Sequence, residues 1–472
     1  MSAEIETLRL TAEQAFALVE SGEVTPEELH STYLGVISER DPELNAFLRT
    51  VKEPNGTSIP IALKDLISTC GLETTAGSRI LEGYVPVADS TVAARCRAAG
   101  LSVLGKTNMD EFAMGSSGEN SAYGPTRNPW HLDRVPGGSS SGSAAAVAGG
   151  LAPWALGSDT GGSIKQPASF CGLVGLRPTY GTVSRSGIVA FASSLDQVGP
   201  ITKTVRDCAL LYRIIAGRDP ADSTTVELPV PVELPEAEDL RGLRIGVPRE
   251  LNEAEGVETG VATAVAEAIE LARELGADLE ACSLPLSVRY GLPCYYLIAP
   301  SEASSNLARY DGVRYGPRAD GAGDLDEMYA ETRRRGFGDE PKRRIMLGTY
   351  ALSAGYYDAF YGQAQKVRTV IRREHDELFR RFDLLVSPTS PTVAFPLGAR
   401  TADPLAMYVA DLLTIPSNMA GLPGLSIPCG LSEGLPVGLQ LIGPQFGENA
   451  LFRAGHALER ALEFDFVTER LR

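Results

Sequence analysis

The sequence predicts an α/β fold in which helices cover a mostly buried sheet. Short apolar segments with strand character recur along the chain and alternate with longer segments of helical periodicity. The first strand signal is the apolar run at 59–67, and the last helical pattern covers 448–463. The 472 residues are 43% hydrophobic, which is enough to build a substantial core in one large unit. We therefore expect a single domain over residues 1–472.

The N-terminal segment, residues 1–55, is predicted to be helical. Thr11 and Thr25 each stand three residues before a Gln or Glu, the spacing of a capping box at a helix start. Pro26 then occupies a position that is compatible with the first helical turn. The first residues are acidic and polar, unlike a signal peptide, and the sequence has no apolar run of about 18 residues. We therefore expect a cytoplasmic protein with no membrane segment.

Further along the chain, periodicity and turn residues define the remaining elements. The predicted strands are 59–67, 101–104, 243–247, 278–284, 383–387 and 436–442. The predicted helices are 90–99, 143–150, 257–275, 356–382 and 448–463. Residues 218–243 are rich in Pro, Glu and Asp and indicate a surface connection, whereas 314–340 mix Gly with both charge signs and indicate an exposed, mobile excursion.

The composition argues against several classes of protein. Seven scattered cysteines contain no C-x-x-C pair, so neither a disulfide framework nor a zinc site is expected. Four histidines lie outside any H-E-x-x-H pattern, and we expect no metal in this chain. The net charge of −17 makes the chain a poor binder of a phosphate backbone, although it is equally compatible with a role in solubility alone. If the protein acts on RNA, another subunit should hold the RNA.

Two Gly-Gly-Ser turns suggest a reactive serine in the segment 134–178. Ser139 and Ser163 end these turns, 24 residues apart. Glycines allow a sharp bend and a close approach to a ligand, and the backbone N–H groups of Thr160, Gly161 and Gly162 could then face a developing oxyanion. A Gly/Ser tract can instead be a flexible linker, and the second turn can be only a tight turn. The first tract, however, leads directly into an Ala-rich helical pattern that a linker does not need.

Lys64 is the candidate base. It interrupts an apolar run, and no second basic residue is nearby, so burial should lower the pKa of its ammonium group towards neutrality. A solvated lysine is the alternative. With only four histidines in the chain, a Ser-His-Asp triad is not favoured. A serine activated by lysine through a second hydroxyl is therefore the favoured chemistry.

One further motif match is set aside. Residues 100–107 fit the G-x-x-x-x-G-K-[ST] pattern of a phosphate-binding loop. The preceding segment is helical and the middle residues are strand-like, which is the reverse of the strand–loop–helix order that a phosphate loop requires. We expect Lys106 and Thr107 to line a strand end or to serve packing.

Together, the segment 134–178 and the A-L-K-D sequence around Lys64 resemble the amidase signature family. The resemblance implies that Ser163 is the nucleophile, Ser139 the bridging serine and Lys64 the base of a Ser-Ser-Lys triad. It also implies a mixed central β-sheet with helices on both faces, the triad at strand and helix ends, and a cis peptide bond before Ser139 with strain at Gly138–Ser139.

The sequence departs from the family pattern at two positions. Ser141 stands where glycine is common, and Lys165 stands where arginine is common. Neither position belongs to the triad.

The C-terminal half resembles a branch of that family, the glutamine-hydrolysing subunits of tRNA-dependent amidotransferases. In those subunits a tyrosine, an arginine and an aspartate bind the α-amino and α-carboxylate groups of glutamine, which implies Tyr295, Arg344 and Asp411 here. The neighbours Tyr296 and Arg343 are the alternatives by one position. The segments that carry the resemblance are 295–316, 343–368, 387–395 and 407–430.

The same resemblance implies partners. Ammonia would pass to a tRNA-binding kinase partner, the B subunit, which binds ATP, Mg²⁺ and the misacylated tRNA. A small third partner, the C subunit, would brace the pair, and tRNA would be contacted mainly through the B subunit. The amidated product would derive from Glu-tRNA(Gln), with Asp-tRNA(Asn) as a further acceptor left open. Two other functions remain open: a stand-alone amidase acting on small amides and a non-catalytic scaffold protein of such a complex.

Overall fold

The computed structural model describes residues 5–471, so residues 1–4 of the predicted N-terminal helical segment lie outside it. Eleven strands occur in the described range. They are β1 Phe47–Thr50, β2 Pro60–Lys64, β3 Ser102–Thr107, β4 Trp154–Asp159, β5 Val174–Arg177, β6 Gln197–Thr202, β7 Arg244–Pro248, β8 Asp278–Cys282, β9 Leu384–Pro388, β10 Gly424–Ser432 and β11 Leu435–Ile442.

Fifteen α-helices occur in the same range. They are α1 Ala12–Glu20, α2 Pro26–Leu44, α3 Thr91–Ala98, α4 Ser141–Ala148, α5 Lys165–Cys171, α6 Val205–Ile215, α7 Arg249–Asn252, α8 Thr259–Glu274, α9 Pro285–Asn306, α10 Leu325–Gly336, α11 Asp339–Leu352, α12 Gln363–Leu378, α13 Pro404–Val409, α14 Ile415–Ala420 and α15 Glu448–Leu462.

All eleven strands form one mixed sheet. Their order is β1-β3-β2-β4-β6-β5-β10-β11-β9-β7-β8. β2 runs parallel to both β3 and β4, and β7 runs parallel to both β8 and β9. The other neighbours are antiparallel. This arrangement confirms the predicted α/β class with a mixed central sheet.

The burial of the strands shows how the sheet is covered. Every residue of β2 to β6, β9 and β11 is buried. Because successive side chains of a strand point to opposite faces, such strands are covered on both sides. The edge strands β1 and β8 are partly exposed. The candidate residue Lys64 therefore lies within the covered part of the sheet.

The N-terminal segment is helical only in part. Both predicted capping boxes are present, at Thr11 and Thr25. The helix α2 ends where Asn45 adopts a left-handed conformation (φ 52°), and Phe47–Thr50 then forms β1 against β3. The prediction of helix up to residue 55 was wrong because β3, distant in sequence, offers a strand edge.

Two other predictions need correction. Residues 314–340 contain α10, which buries Met328 and Thr332, so this segment is not simply an exposed excursion. Arg333 holds it by donating to the carbonyl of Leu307 at 2.9 Å. The helix expected over 356–382 begins only at Gln363, after a π-helical turn Asp358–Gly362, and Gly355 with φ 86° separates it from α11.

The phosphate-loop match lies in a strand, as the sequence order indicated. β3 includes Lys106 and Thr107, and both are fully buried. The Lys106 ammonium group donates to the Ile67 carbonyl at 2.6 Å and to Thr74 Oγ1 at 2.8 Å. Among the described helices, none is long and apolar enough to cross a bilayer.

Candidate active site

Lys64 ends β2 with its side chain completely buried among hydroxyl groups. Its Nζ donates to Ser139 Oγ at 2.7 Å, to Ser140 Oγ at 2.9 Å and to Ser158 Oγ at 2.9 Å. Burial lowers the pKa of Lys64 to about 7. The carboxylates that oppose this shift are Asp110, Asp159 and Asp196. The structure therefore confirms that this lysine is buried, beside the first Gly-Gly-Ser turn.

The turn that carries Ser139 is made by two glycines rather than by a cis peptide. Gly137 has φ 86° and Gly138 has φ 54°, conformations that glycine adopts at little steric cost. No cis peptide bond occurs among the described residues, so the expected cis bond and strain at Gly138–Ser139 were wrong. The Gly138 N–H donates to Gln166 Oε1 at 2.6 Å, which fixes the turn against α5.

The hydroxyls after this turn do not cap the helix α4. Serine is a common N-cap residue, but the N-cap residue Ser140 makes no side-chain cap here. Its hydroxyl instead donates to the Ser158 carbonyl at 3.0 Å and contacts Lys64. Ser139 and Ser140 therefore serve the lysine rather than the helix start.

Ser163 lies in the loop between β4 and α5, in contact with the first turn. Its carbonyl accepts a hydrogen bond from the Ser140 N–H at 3.3 Å, and a Cβ added to Gly138 would lie 3.1 Å from its Cα. Within residues 5–471 its hydroxyl makes no hydrogen bond, so the direct Ser139–Ser163 contact of the predicted triad is not formed. Catalytic hydrogen bonds often tighten only when substrate is bound.

The loop that precedes Ser163 presents unpaired backbone donors. The N–H groups of Gly161, Gly162 and Ser163 donate to no acceptor in the described part of the chain. Gly162 has φ 145°, a backbone conformation that L-residues rarely adopt. The Thr160 hydroxyl donates to Asp196 Oδ1 at 2.8 Å. Such a row of free N–H groups can stabilise negative charge on an oxygen bound beside Ser163.

Of the predicted substrate-binding residues Tyr295, Arg344 and Asp411, Tyr295 packs directly against this loop. Tyr295, on α9, is buried, and a Cβ added to Gly161 would lie 3.0 Å from its hydroxyl oxygen. Burial raises the pKa of Tyr295, and the charges of Arg344 and Asp411 both act on it. The assignment of these three residues to substrate binding stays a prediction.

Of the two neighbouring candidates Arg343 and Arg344, Arg344 is the buried one. Its Nε donates to Glu340 Oε1 at 2.7 Å, and the rings of Tyr296 and Tyr408 each lie 5.4 Å from its guanidinium carbon. Its terminal nitrogens donate to no acceptor among the described residues. Burial acts to lower the pKa of Arg344, but Tyr296 and Glu340 hold it above its usual value. Its neighbour Arg343 is 44% exposed, which favours Arg344 as the carboxylate-binding candidate.

Asp411 follows α13 and accepts hydrogen bonds from both sides. Ser116 Oγ donates to Oδ2, and Gln166 Nε2 donates to Oδ1 at 3.3 Å. Burial raises the pKa of Asp411 to about 7, and the Ser116 hydrogen bond and the Arg344 charge oppose this shift. An anionic, buried carboxylate of this kind can bind an ammonium group.

Three residues that support the site were not predicted from the sequence. Glu340 stands four residues before Arg344 on one helix, a spacing that could have identified it. Ser116 and Gln166 gave no such signal, because their partner Asp411 lies 295 and 245 residues away. All three fix a charged side chain of the site.

Cavity size does not identify this site. A groove of about 900 Å³ lies along α1 and α2 and contains none of the residues above. A smaller cavity of about 310 Å³ borders Glu340, the partner of Arg344. Within residues 5–471, no three His, Cys, Asp or Glu side chains are grouped as a metal site would require.

The fold and the site define the class of protein. The sequence profile of the Amidase family matches residues 49–452, and the chain belongs to that family. It is an enzyme of amide chemistry.

Relatives of high identity point to one branch of the family. The chain is 57% identical to the A subunit of glutamyl-tRNA(Gln) amidotransferase from Anaeromyxobacter dehalogenans, with 97% of each chain covered. It is 55% identical to the same protein of Roseiflexus castenholzii, over 97% of this chain and 96% of the relative. The crystal structure of the A subunit from Thermotoga maritima matches with a TM-score of 0.83 and 47% identity, over 97% of this chain and 95% of the other.

Proposed function

We propose that this chain is the glutamine-hydrolysing subunit of a tRNA-dependent amidotransferase. The observation that carries the proposal is the buried hydrogen bond of 2.7 Å between Lys64 Nζ and Ser139 Oγ, beside the loop of Ser163. It supports a serine hydrolase mechanism without histidine. Relatives of more than 50% identity over nearly the whole chain carry the name of such a subunit.

In the proposed reaction, neutral Lys64 accepts a proton from Ser139, which accepts one from Ser163. Ser163 Oγ attacks the side-chain amide carbon of glutamine, and the N–H groups of the 160–163 loop stabilise the resulting oxyanion. The protons return to the leaving nitrogen, the C–N bond breaks and ammonia departs. Water then hydrolyses the glutamyl ester to release glutamate and regenerate Ser163.

The substrate-binding residues explain the choice of glutamine over a simple amide. The free terminal nitrogens of Arg344 suit a planar carboxylate, and the buried carboxylate of Asp411 suits an ammonium group. Tyr295 packs against Gly161, and the charges of Arg344 and Asp411 both act on the pKa of its hydroxyl. A zwitterionic amino acid offers a partner to both groups, whereas an alkyl or aryl amide offers neither a carboxylate to the terminal nitrogens of Arg344 nor an ammonium group to Asp411.

The proposal includes partners. Ammonia passes to the tRNA-binding B subunit, which holds ATP and Mg²⁺, and the small C subunit completes the complex. The net charge of −17 is consistent with an arrangement in which another subunit binds the RNA. The tRNA-binding partner decides between Glu-tRNA(Gln) and Asp-tRNA(Asn). Because aminoacyl-tRNA is used in translation, the proposal also assigns the protein to the cytoplasm.

The test is co-purification with candidate partner subunits, followed by glutamine-dependent amidation of Glu-tRNA(Gln). Ser163→Ala should abolish glutaminase activity and glutamine-dependent amidation, while added ammonia still supports amidation by the complex. Full glutaminase activity in Ser163→Ala would exclude Ser163 as the nucleophile. Ser184→Ala is the matched control, because Ser184 is another buried serine and its hydroxyl donates to Asp219.

The same assay separates the alternatives. Faster turnover of simple amides than of glutamine, without any partner, would identify a stand-alone amidase. Failure of a fluorophosphonate probe to label Ser163 in the intact complex would identify a non-catalytic scaffold.

A further inference from the structure

One segment, residues 411–418, donates hydrogen bonds to the Ser163 loop. The same segment carries Asp411. Asn418 Nδ2 donates to the Thr160 carbonyl at 3.0 Å, and Thr414 Oγ1 donates to the Gly161 carbonyl at 2.6 Å. Two successive carbonyls of the loop thus accept hydrogen bonds from side chains at α14. Both side chains are fully buried.

This arrangement determines where the loop N–H groups point. In a planar trans peptide the N–H lies opposite the C=O. The carbonyls of Thr160 and Gly161 face α14, so the N–H groups of Gly161 and Gly162 face the opposite side. These are two of the N–H groups that lack an acceptor in the described chain.

Packing reinforces the hydrogen bonds. A Cβ added to Gly162 would collide with Thr414 Oγ1 and lie 3.0 Å from Thr414 Cβ. On the neighbouring glycine, a Cβ at Gly161 would lie 3.0 Å from the Tyr295 hydroxyl oxygen. The two glycines are therefore confined between Thr414 and Tyr295, with little freedom to rotate the peptide that joins them.

We propose that Thr414 is a positioning residue that orients the Gly161–Gly162 peptide so that its N–H stabilises the oxyanion formed at Ser163. The inference rests on the proposed function and adds a residue to it. The Thr414 hydroxyl also lies 3.1 Å from the Asp411 carbonyl. The segment that binds the substrate ammonium group thus also sets the oxyanion donors.

The role makes a specific kinetic prediction. Thr414→Val keeps the shape of the side chain but removes the hydroxyl, so the Gly161 carbonyl loses its donor. Since removing an oxyanion donor costs about 10²- to 10³-fold in kcat, a misoriented donor should cost about 10- to 100-fold. The KM for glutamine should change less than about threefold, because Arg344 and Asp411 are unaltered. Thr414→Ser keeps the hydroxyl and should restore most of kcat.

The experiment measures kcat and KM for glutamine in the complex with its partner subunits, for wild type, Thr414→Val and Thr414→Ser. Thr182→Val is the matched control, because Thr182 is fully buried and donates to the Thr179 carbonyl at 2.8 Å. If Thr414→Val does not fold, Thr414→Ala is judged by the same criteria.

An unchanged kcat in Thr414→Val would overturn the inference, as would a Thr414→Ser variant equally impaired or a similar kcat loss in Thr182→Val. Ser163→Ala separates this failure from that of the proposed function. If Ser163→Ala is inactive while Thr414→Val is fully active, only the role of Thr414 is wrong.

Discussion

The surroundings of Lys64 and Lys165 differ in one chemical respect. Both lysines are completely buried, and burial lowers the pKa of each to about 7. Lys64 contacts three serine hydroxyls, which can both donate and accept a proton. Lys165 contacts oxygens that mostly only accept: Gln440 Oε1 at 2.7 Å, Asn418 Oδ1 at 3.0 Å, the Thr414 carbonyl at 3.4 Å and the Ser417 hydroxyl at 3.1 Å.

The orientations of the Gln440 and Asn418 side-chain amides support this difference. Gln440 Nε2 donates to the Leu413 carbonyl at 3.1 Å, and Asn418 Nδ2 donates to Asp159 Oδ1 at 2.6 Å. Their oxygens therefore face Lys165 and require a donor. The lowered pKa of each lysine reflects its burial, whereas its hydrogen-bond partners determine its role. Lys64 can pass a proton to a serine, and Lys165 links α5 to α14 and β11.

The largest effect should come from Lys64→Met. Without an amine, Ser139 has no proton acceptor, and the loss of a general base should lower kcat for glutamine by about 10²- to 10⁴-fold. Steady-state kinetics of the complex measure this. Lys203→Met is the matched control, because Lys203 is also buried, has a pKa lowered to about 7 by burial, and donates to the Thr7 and Leu10 carbonyls. A similar kcat loss in both variants would show that buried lysines act here only through stability.

Lys165→Met should show the reverse pattern. Its acceptor oxygens would be left buried without a donor, at about 1–3 kcal/mol for each such group. We expect the free energy of unfolding to fall by about 2–4 kcal/mol, while kcat of the folded protein stays within about tenfold of wild type. Chemical denaturation measures the first quantity. A stable Lys165→Met with a kcat as low as that of Lys64→Met would reverse the assignment of the two lysines.

The pH dependence of kcat should follow Lys64. Its amine must be uncharged to accept a proton, and its pKa of about 7 sets the pH of the transition. The sign is that kcat falls as pH falls below about 7, approaching tenfold per pH unit, and levels off above it. A kcat that stays constant over roughly two pH units around neutrality would show that Lys64 is not the titrating base.

Asp411→Asn should have the smallest effect, and it separates the contribution of Asp411 to the pH dependence from that of Lys64. The pKa of Asp411 is raised to about 7, so protonation below that pH removes the anionic partner of the substrate ammonium group. The variant should raise KM by about tenfold and abolish its pH dependence, with the pH dependence of kcat retained. An unchanged KM would remove Asp411 from glutamine binding.

Local patterns predicted much of the site, whereas its supports depend on distant pairing. Lys64 in an apolar run and serines on Gly-Gly turns are short-range signals, and the structure brings both turns and the lysine together. The bond from Ser116 to Asp411 spans 295 residues, and that from Thr414 to Gly161 spans 253. No periodicity encodes such contacts.

The fold shows the same division. The capping boxes of α1 and α2 and the α/β alternation were readable from the sequence. The order of the strands was not readable from the sequence, because β5 pairs with β10, which lies much later in the chain. The bond before Ser139 was expected to be cis, but glycines at positive φ make the turn with trans bonds.

The most direct test of the central claim, that uncharged Lys64 activates Ser163 through Ser139, is the rate at which a fluorophosphonate labels Ser163 as a function of pH. Mass spectrometry of the labelled peptide identifies the site. We predict labelling at Ser163 with a rate that rises through a midpoint of about 7 and is lost in Lys64→Met. Equal labelling rates in wild type and Lys64→Met across the pH range would contradict it.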